Sequence, residues 1–275
     1  MELEKPFNIE QRDKQALAAG YNWKIRTFEI VSIIAFLSTT AFLAVRIAPA
    51  NFHAPWLSLT LMLIGYLAAD FLTGMFHWAA DTWGTVEWPI VGQGLIRPFR
   101  EHHIDQKEIT RHDFIETNGA SCFIAFFFVF GASFLSQGPG KTWQLVAASL
   151  AFWTMLIGFL TNQFHKWAHE DAPPAWVAAL QRWRVILPRG HHQIHHMAPF
   201  TKYYCITHGW LNEPLHRIGY YRVLEKWISA VTGLVPREDD LGKKAAQALS
   251  GDALAQAESG PAAIAAQPVP TQTGR

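Results

Sequence analysis

Histidine stands out by number and by spacing in this chain of 275 residues, which holds 13 of them. His165 and His169 are four apart, and His192, His195 and His196 make an HxxHH pattern with His191 one turn before His195. Residues three and four apart share a helix face, so each set can aim its imidazoles at one point. His77 and Asp81 have the same spacing, which lets a carboxylate complete or orient a ligand. His102, His103 and His112 form a further group. These ten histidines exceed what one tetrahedral zinc can use, and the HExxH signature of zinc hydrolases is missing. The doubled Glu-x-x-His pattern of soluble di-iron bundles is missing too, which leaves a His-rich centre for two metals. Imidazole suits iron, copper, nickel or zinc, and chemistry at a lipid surface favours iron with dioxygen.

The elements that hold these side chains must be found in a chain that is half hydrophobic and only 16% charged, with 12 Trp and 19 Phe. That composition excludes disorder, and a net charge of +1 offers no field for nucleic acid. Two cysteines, Cys122 and Cys205, cannot build a disulfide framework. Four apolar runs have the length or character of membrane spans: Phe28 to Val45, Leu57 to Phe76, Ala120 to Ser136 and Trp143 to Thr161. Gly138, Pro139 and Gly140 mark the turn between the last two. Four buried helices of a large soluble core are the alternative, and runs this long without an amphipathic stripe speak against it.

Lys and Arg number five before the first run, one after it, four after the second, one after the third and twelve after the fourth. The positive-inside rule then puts both termini and the 77–119 loop in the cytoplasm, and all ten grouped histidines fall on that side. No cleavable signal is visible. His53 falls in the opposite loop, and His208 and His216 lack a paired spacing, so these three are set aside. Asp70, seven residues before His77 and inside a span, has to be satisfied at that depth. A His N–H donated to its carboxylate is the expected arrangement, which makes Asp70 and Asp81 outer partners of the ligands. Trp176 to Leu187 and Tyr220 to Val235 are amphipathic and suit either the membrane interface or packing on the cytoplasmic part. The expected fold is an all-α integral membrane protein of four transmembrane helices with a cytoplasmic His-rich helical cap. Residues 1–27 form a cytoplasmic segment, and 241–275 read as a disordered tail.

Four strings carry a resemblance: AADFLTGMFHWAADTWG, IRPFREHHIDQKEITRHDFIETNG, TNQFHKWAH and ILPRGHHQIHHMAPFTKYYCITHGWLN. In these the chain resembles the plasmanylethanolamine desaturase family, the Kua or CarF group of membrane lipid desaturases, over roughly residues 60 to 240. The resemblance implies a lipid desaturase domain at 28–240 and a membrane di-iron enzyme that takes two hydrogens from the alkyl chain of an ether phospholipid, giving the vinyl ether of a plasmalogen. The family's motif positions fall on His77, His102, His103, His112, His165, His169, His191, His192, His195 and His196, with Asp81 beside them. The implied metal ligands are His77, His102, His103, His165, His169, His192, His195 and His196. The family pattern has His where this chain has Phe200 and Thr where it has His208, so neither position is assigned to metal.

Two iron ions, with dioxygen as co-substrate, and a small electron-transfer protein with its reductase are the implied cofactors and partners. The membrane would be a bacterial inner membrane or the endoplasmic reticulum. The same ligands would equally serve an acyl-chain desaturase or hydroxylase of a membrane phospholipid, which is what plant members of the wider group resemble. A non-catalytic metal-binding membrane regulator is the alternative of another class.

Overall fold

The computed structural model describes residues 21–84, 88, 91–135, 140–197 and 199–236. The first 20 residues, Gly138, Pro139 and the tail 241–275 lie outside the described residues. In chain order the helices are α1 (Trp23–His53), α2 (Pro55–Thr82), α3 (Arg97–Ile104), α4 (Glu108–Arg111), α5 (Phe114–Ser133), α6 (Thr142–His169), α7 (Ala175–Arg182), α8 (Arg189–Gln193), α9 (Asn212–Arg217) and α10 (Tyr220–Thr232). A π-helical turn, Gly92–Ile96, leads into α3.

The four long helices α1, α2, α5 and α6 are apolar enough to cross a membrane, and the chain is an integral membrane protein. Side chains such as Val31, Ile34, Phe127 and Phe128 stay exposed on their outer faces, as a lipid-facing surface requires. Local chemistry sets their ends. Asn22 caps α1 by accepting from the N–H groups of Lys24 and Ile25, and Asp113 caps α5 through those of Ile115 and Glu116. Arg26 donates to Asp113 at 2.8 Å, which ties these two starts together. One residue, Ala54, separates α1 from α2, and Pro55 opens α2 where its missing N–H costs nothing.

Packing pairs α1 with α5 and α2 with α6, and α6 also meets α1 and α5. Between helices in lipid the attraction is close contact rather than hydrophobic burial, so small residues sit at the crossings. A Cβ on Gly119 would fall 2.2 Å from the Cβ of Glu29, and one on Gly65 would fall 2.8 Å from that of Trp153.

Length explains how the bundle presents its histidines. Helices α2 and α6 have 28 residues each. At 1.5 Å per residue that is about 42 Å, against a hydrocarbon core of about 30 Å. Both run toward the same end, and their surplus turns carry His77, Asp81, His165 and His169 beyond the spans. The apolar runs read from the sequence are the middles of these helices, because backbone hydrogen bonding continues through polar end turns that hydropathy discounts. The short helices α3, α4 and α8 complete a His-rich cap over that end.

The two amphipathic stretches differ from their single-stripe reading. Helix α10 docks through Tyr221 and Glu225, the latter accepting from Trp78 Nε1 at 2.8 Å, while Leu224 and Ile228 pack partly against the same cluster. Its Val223, Trp227 and Val231 remain exposed. Helix α7 likewise buries Val177 and leaves Trp176 exposed. Each helix is therefore two-faced, with one side on the domain and an apolar side outward.

Candidate metal centre

Two groups of buried ligand atoms form at the cap. His102, His165, His169, His192 and His196 make one, and His77, Asp81, His103 and His195 make the other, with the ligand atoms of each group within 4.8 Å of one another. All nine residues are 7% exposed or less. Helix α2 supplies His77 and Asp81, α3 supplies His102 and His103, α6 supplies His165 and His169, and α8 with the turn after it supplies the rest. The sequence-adjacent pairs are split: His102 and His196 face the first group, His103 and His195 the second. Consecutive residues on a helical turn point about 100° apart, so each pair spans both groups.

In the first group Nε2 of His192 lies 2.8 Å from Nε2 of His165 and 3.0 Å from that of His196. In the second, Nε2 of His103 and His195 are 3.1 Å apart, and Asp81 Oδ2 stands 3.4, 3.6 and 3.5 Å from Nε2 of His77, His103 and His195. The two groups adjoin, with ring centroids of His192 and His195 5.6 Å apart. Backbone carbonyls fix the orientation of two rings. Nδ1 of His77 lies 3.1 Å from the Tyr204 oxygen and Nδ1 of His195 lies 2.9 Å from the Lys202 oxygen. A carbonyl only accepts, so these Nδ1 atoms carry the proton and leave each Nε2 lone pair facing the centre. Phe200, where the family pattern has His, stacks on His103 at 4.7 Å as part of the wall.

A cation fits these residues. His102 has both ring nitrogens, and His169 its Nε2, buried without a hydrogen-bond partner, an arrangement folded proteins rarely leave unanswered. Two nitrogens bound about 2.1 Å from one ion at right angles stand about 3.0 Å apart, close to the separations observed. Burial pushes the pKa values of His102, His192 and His196 well below the ordinary histidine value, and neighbouring imidazoles add to the shift. They are neutral at pH 7, which is the form that binds metal. An exposed clamp holds the layer down: Lys107 donates to the carbonyl of His169 and pairs with Asp171 at 2.6 Å, and Arg189 reaches Asp171 at 2.7 Å.

The eight histidines expected as metal ligands all fall in the two groups. Asp81, expected behind the ligands, stands among them, because a residue four after His77 reaches the same point. Asp70 departs from its expected role. Its Oδ1 accepts the N–H groups of Thr207, His208 and Gly209 at 3.0 Å each, and Oδ2 accepts from Leu211 at 3.3 Å. Four backbone donors satisfy it, so it organises the 207–211 loop rather than a ligand imidazole. His191 lies outside both groups, with Nε2 3.0 Å from the Gly209 carbonyl oxygen and its ring stacked on Tyr203. His112 also lies outside, 3.6 Å from both Glu108 and Glu116. His53 ends α1 at the far side of the bundle.

Beneath the first group is a cavity of about 180 Å³ that sequence reasoning did not find. His102 and His165 line one end, and apolar side chains of α2, α5 and α6, among them Leu72, Ile124, Met155 and Phe159, line the rest.

Four spans, two buried His-rich groups able to bind metal and an apolar slot beneath them define a membrane-embedded oxidoreductase of the lipid desaturase class. A model of the lipid desaturase domain matches residues 66–239. Plasmanylethanolamine desaturase of Myxococcus xanthus is 49% identical over 252 residues, 90% of this chain and 87% of that protein. Plasmanylethanolamine desaturase 1 of Mus musculus is 47% identical over 243 residues, 86% and 89% of the two chains. The chloroplastic fatty acid desaturase 4 of Arabidopsis thaliana is 31% identical over 175 residues, 63% of this chain and 52% of that one. No solved structure gives a significant match. The chain belongs to the plasmanylethanolamine desaturase (Kua/CarF) family of membrane lipid desaturases.

Proposed function

We propose that this protein converts the 1-O-alkyl chain of an ether phospholipid, such as plasmanylethanolamine, to the vinyl ether of a plasmalogen. The observation that carries this reading is the slot, an apolar channel whose upper end is walled by the candidate ligands His102 and His165. Two relatives covering most of this chain, both called plasmanylethanolamine desaturases, support the choice of substrate.

The five-histidine group would hold one iron, and His77, Asp81, His103 and His195 the other. Two bound irons, with dioxygen and two electrons, supply the oxidising power to break unactivated C–H bonds, two hydrogens leaving the lipid as dioxygen becomes two waters. The protein's own work is positional. Carbonyl-anchored imidazoles keep lone pairs inward, Asp81 gives one group a negative charge that the other lacks, and the buried rings exclude water from the reacting end of the chain. The slot confines the carbon chain, which favours loss of a second hydrogen from the neighbouring carbon over hydroxylation.

The termini are assigned to the cytoplasm on the even number of spans and the Lys and Arg count, and a small soluble carrier and its reductase would deliver electrons at the cap. The fatty acid desaturase relative supports a second reading, acyl-chain desaturation. Expression in cells that make alkyl ether phospholipids but no plasmalogens tests the choice. A new lipid lighter by two hydrogens that releases a fatty aldehyde in mild acid supports the first reading. Mass loss confined to acyl chains supports the second.

A further inference from the structure

The slot is polar at one end only. Glu108, His112 and Glu116 line it beside His102, whereas Ile124, Met155, Gly158 and Phe159 line it further down. Its wall on α6 includes Thr154, Met155, Gly158, Phe159, Asn162 and His165, positions that share one helix face. From His165 to Thr154 that face extends about 16 Å along the helix axis. Two polar side chains interrupt the apolar stretch, and they answer each other: Asn162 Nδ2 donates to Ser121 Oγ at 2.6 Å. The deep end is closed by residues that are themselves buried, Thr154 at 4% and Met155 at 8% exposure. Between the floor and the histidines the wall has one gap in its side chains, Gly158, where an added Cβ would meet no atom within 4 Å.

We propose that the slot is a length gauge for the hydrocarbon chain. The chain enters tail-first with its polar end held at the Glu108, His112 and Glu116 end, and Gly158 leaves the room that longer chains occupy. This rests on the proposed function for the identity of the chain as an ether-linked alkyl group. It places the metal centre at the head end of the slot, because the candidate ligands His102 and His165 adjoin the polar lining and the long apolar part lies beyond them. The carbons oxidised are then counted from the head group, and the position of the new double bond does not vary with chain length. A chain longer than the slot is rejected at the floor.

The test uses full-length protein in lipid nanodiscs, with Gly158→Ala, Gly158→Leu and Gly158→Phe, and Gly131→Leu as a control for added bulk in a span. Gly131 also meets nothing within 4 Å, but it is not part of the slot. Binding of long-chain and short-chain 1-O-alkyl phospholipids is measured by competition without turnover, alongside metal content. Gly158→Phe should lower the long-to-short binding ratio by about tenfold or more, the discrimination that one or two excluded methylenes bring. Gly158→Leu should fall between it and wild type, with metal content unchanged in both, and Gly158→Ala and Gly131→Leu should keep the wild-type ratio.

An unchanged ratio in Gly158→Leu and Gly158→Phe, an equal loss for all chain lengths, or the same shift in Gly131→Leu would overturn the gauge. In expressing cells, a double bond whose distance from the head group changed with chain length would overturn it as well. A wild-type protein that shows the graded binding but desaturates no ether lipid would instead overturn the proposed function and leave the gauge standing.

Discussion

The carboxylate oxygen Oδ2 of Asp81 lies 3.5 Å from Nε2 of His195, joining the end of a membrane-spanning helix to the HxxHH segment more than a hundred residues later. It lies within 3.6 Å of two further imidazoles, so one acid answers a three-histidine group. The other group has five histidines and no carboxylate. The two metal positions are thus chemically unlike.

Asp81→Asn keeps the shape and removes the charge, and it should empty one position and spare the other. Metal analysis of purified protein should show a loss of about half the bound metal. The affinity of the emptied position should fall by more than about 100-fold, beyond the cost of altering an outer partner. Loss of all metal or of none would show that the acid does not belong to one group alone.

Asp70 predicts the opposite pattern. Asp70→Ala strands four backbone N–H donors at a buried site and should cost about 3 kcal/mol or more of stability. The protein that still folds should carry its full metal. Thermal unfolding read together with metal content separates this residue from Asp81.

His191→Ala and His195→Ala, four positions apart in one motif, should also part company. His195→Ala should lose metal and activity. His191→Ala should keep its metal and lose about 1 to 3 kcal/mol of stability, because its ring nitrogen meets the Gly209 carbonyl and not the centre. Equal metal loss in the two variants would contradict the division drawn between them.

Acid should act through the buried imidazoles. His102, His192 and His196 have folded-state pKa values below the ordinary 6.5, so the unfolded chain takes up protons that the folded chain refuses. For metal-free protein, stability contributed by these groups is fully present above about pH 6.5 and declines as the pH falls toward their folded values. Unfolding measured across pH 8 to about 5 should give a plateau and then a fall on the acid side. A stability that rose on acidification through that range would show the rings to be charged in the fold.

The parts of this architecture that were legible in the sequence are those governed by local periodicity. Spans show as unbroken apolar runs, and His165 with His169, or His192 with His196, show as ligand pairs because helical spacing alone brings them together. The division of His102 from His103 between two groups needs the position of the other helices, which spacing along one helix does not contain. Asp70 was misread for a related reason. It looked like an outer partner of a histidine, yet its partners are backbone N–H groups of a loop some 137 residues away, which have no signature in side-chain identity. Gly158 reads as one more small residue in a span until α2 and α5 are set around it.

The central claim is that electrons and dioxygen are spent at this histidine centre on the carbons next to an ether oxygen. The most direct measurement uses purified iron-loaded protein, a reduced carrier and a 1-O-alkyl phospholipid, following oxygen uptake together with acid-released aldehyde. The expected result is one vinyl ether formed for each dioxygen consumed, abolished in His195→Ala and unchanged in His53→Ala. Oxygen uptake that yields only hydroxylated lipid or unsaturated acyl chains, or turnover that persists in His195→Ala, would contradict it.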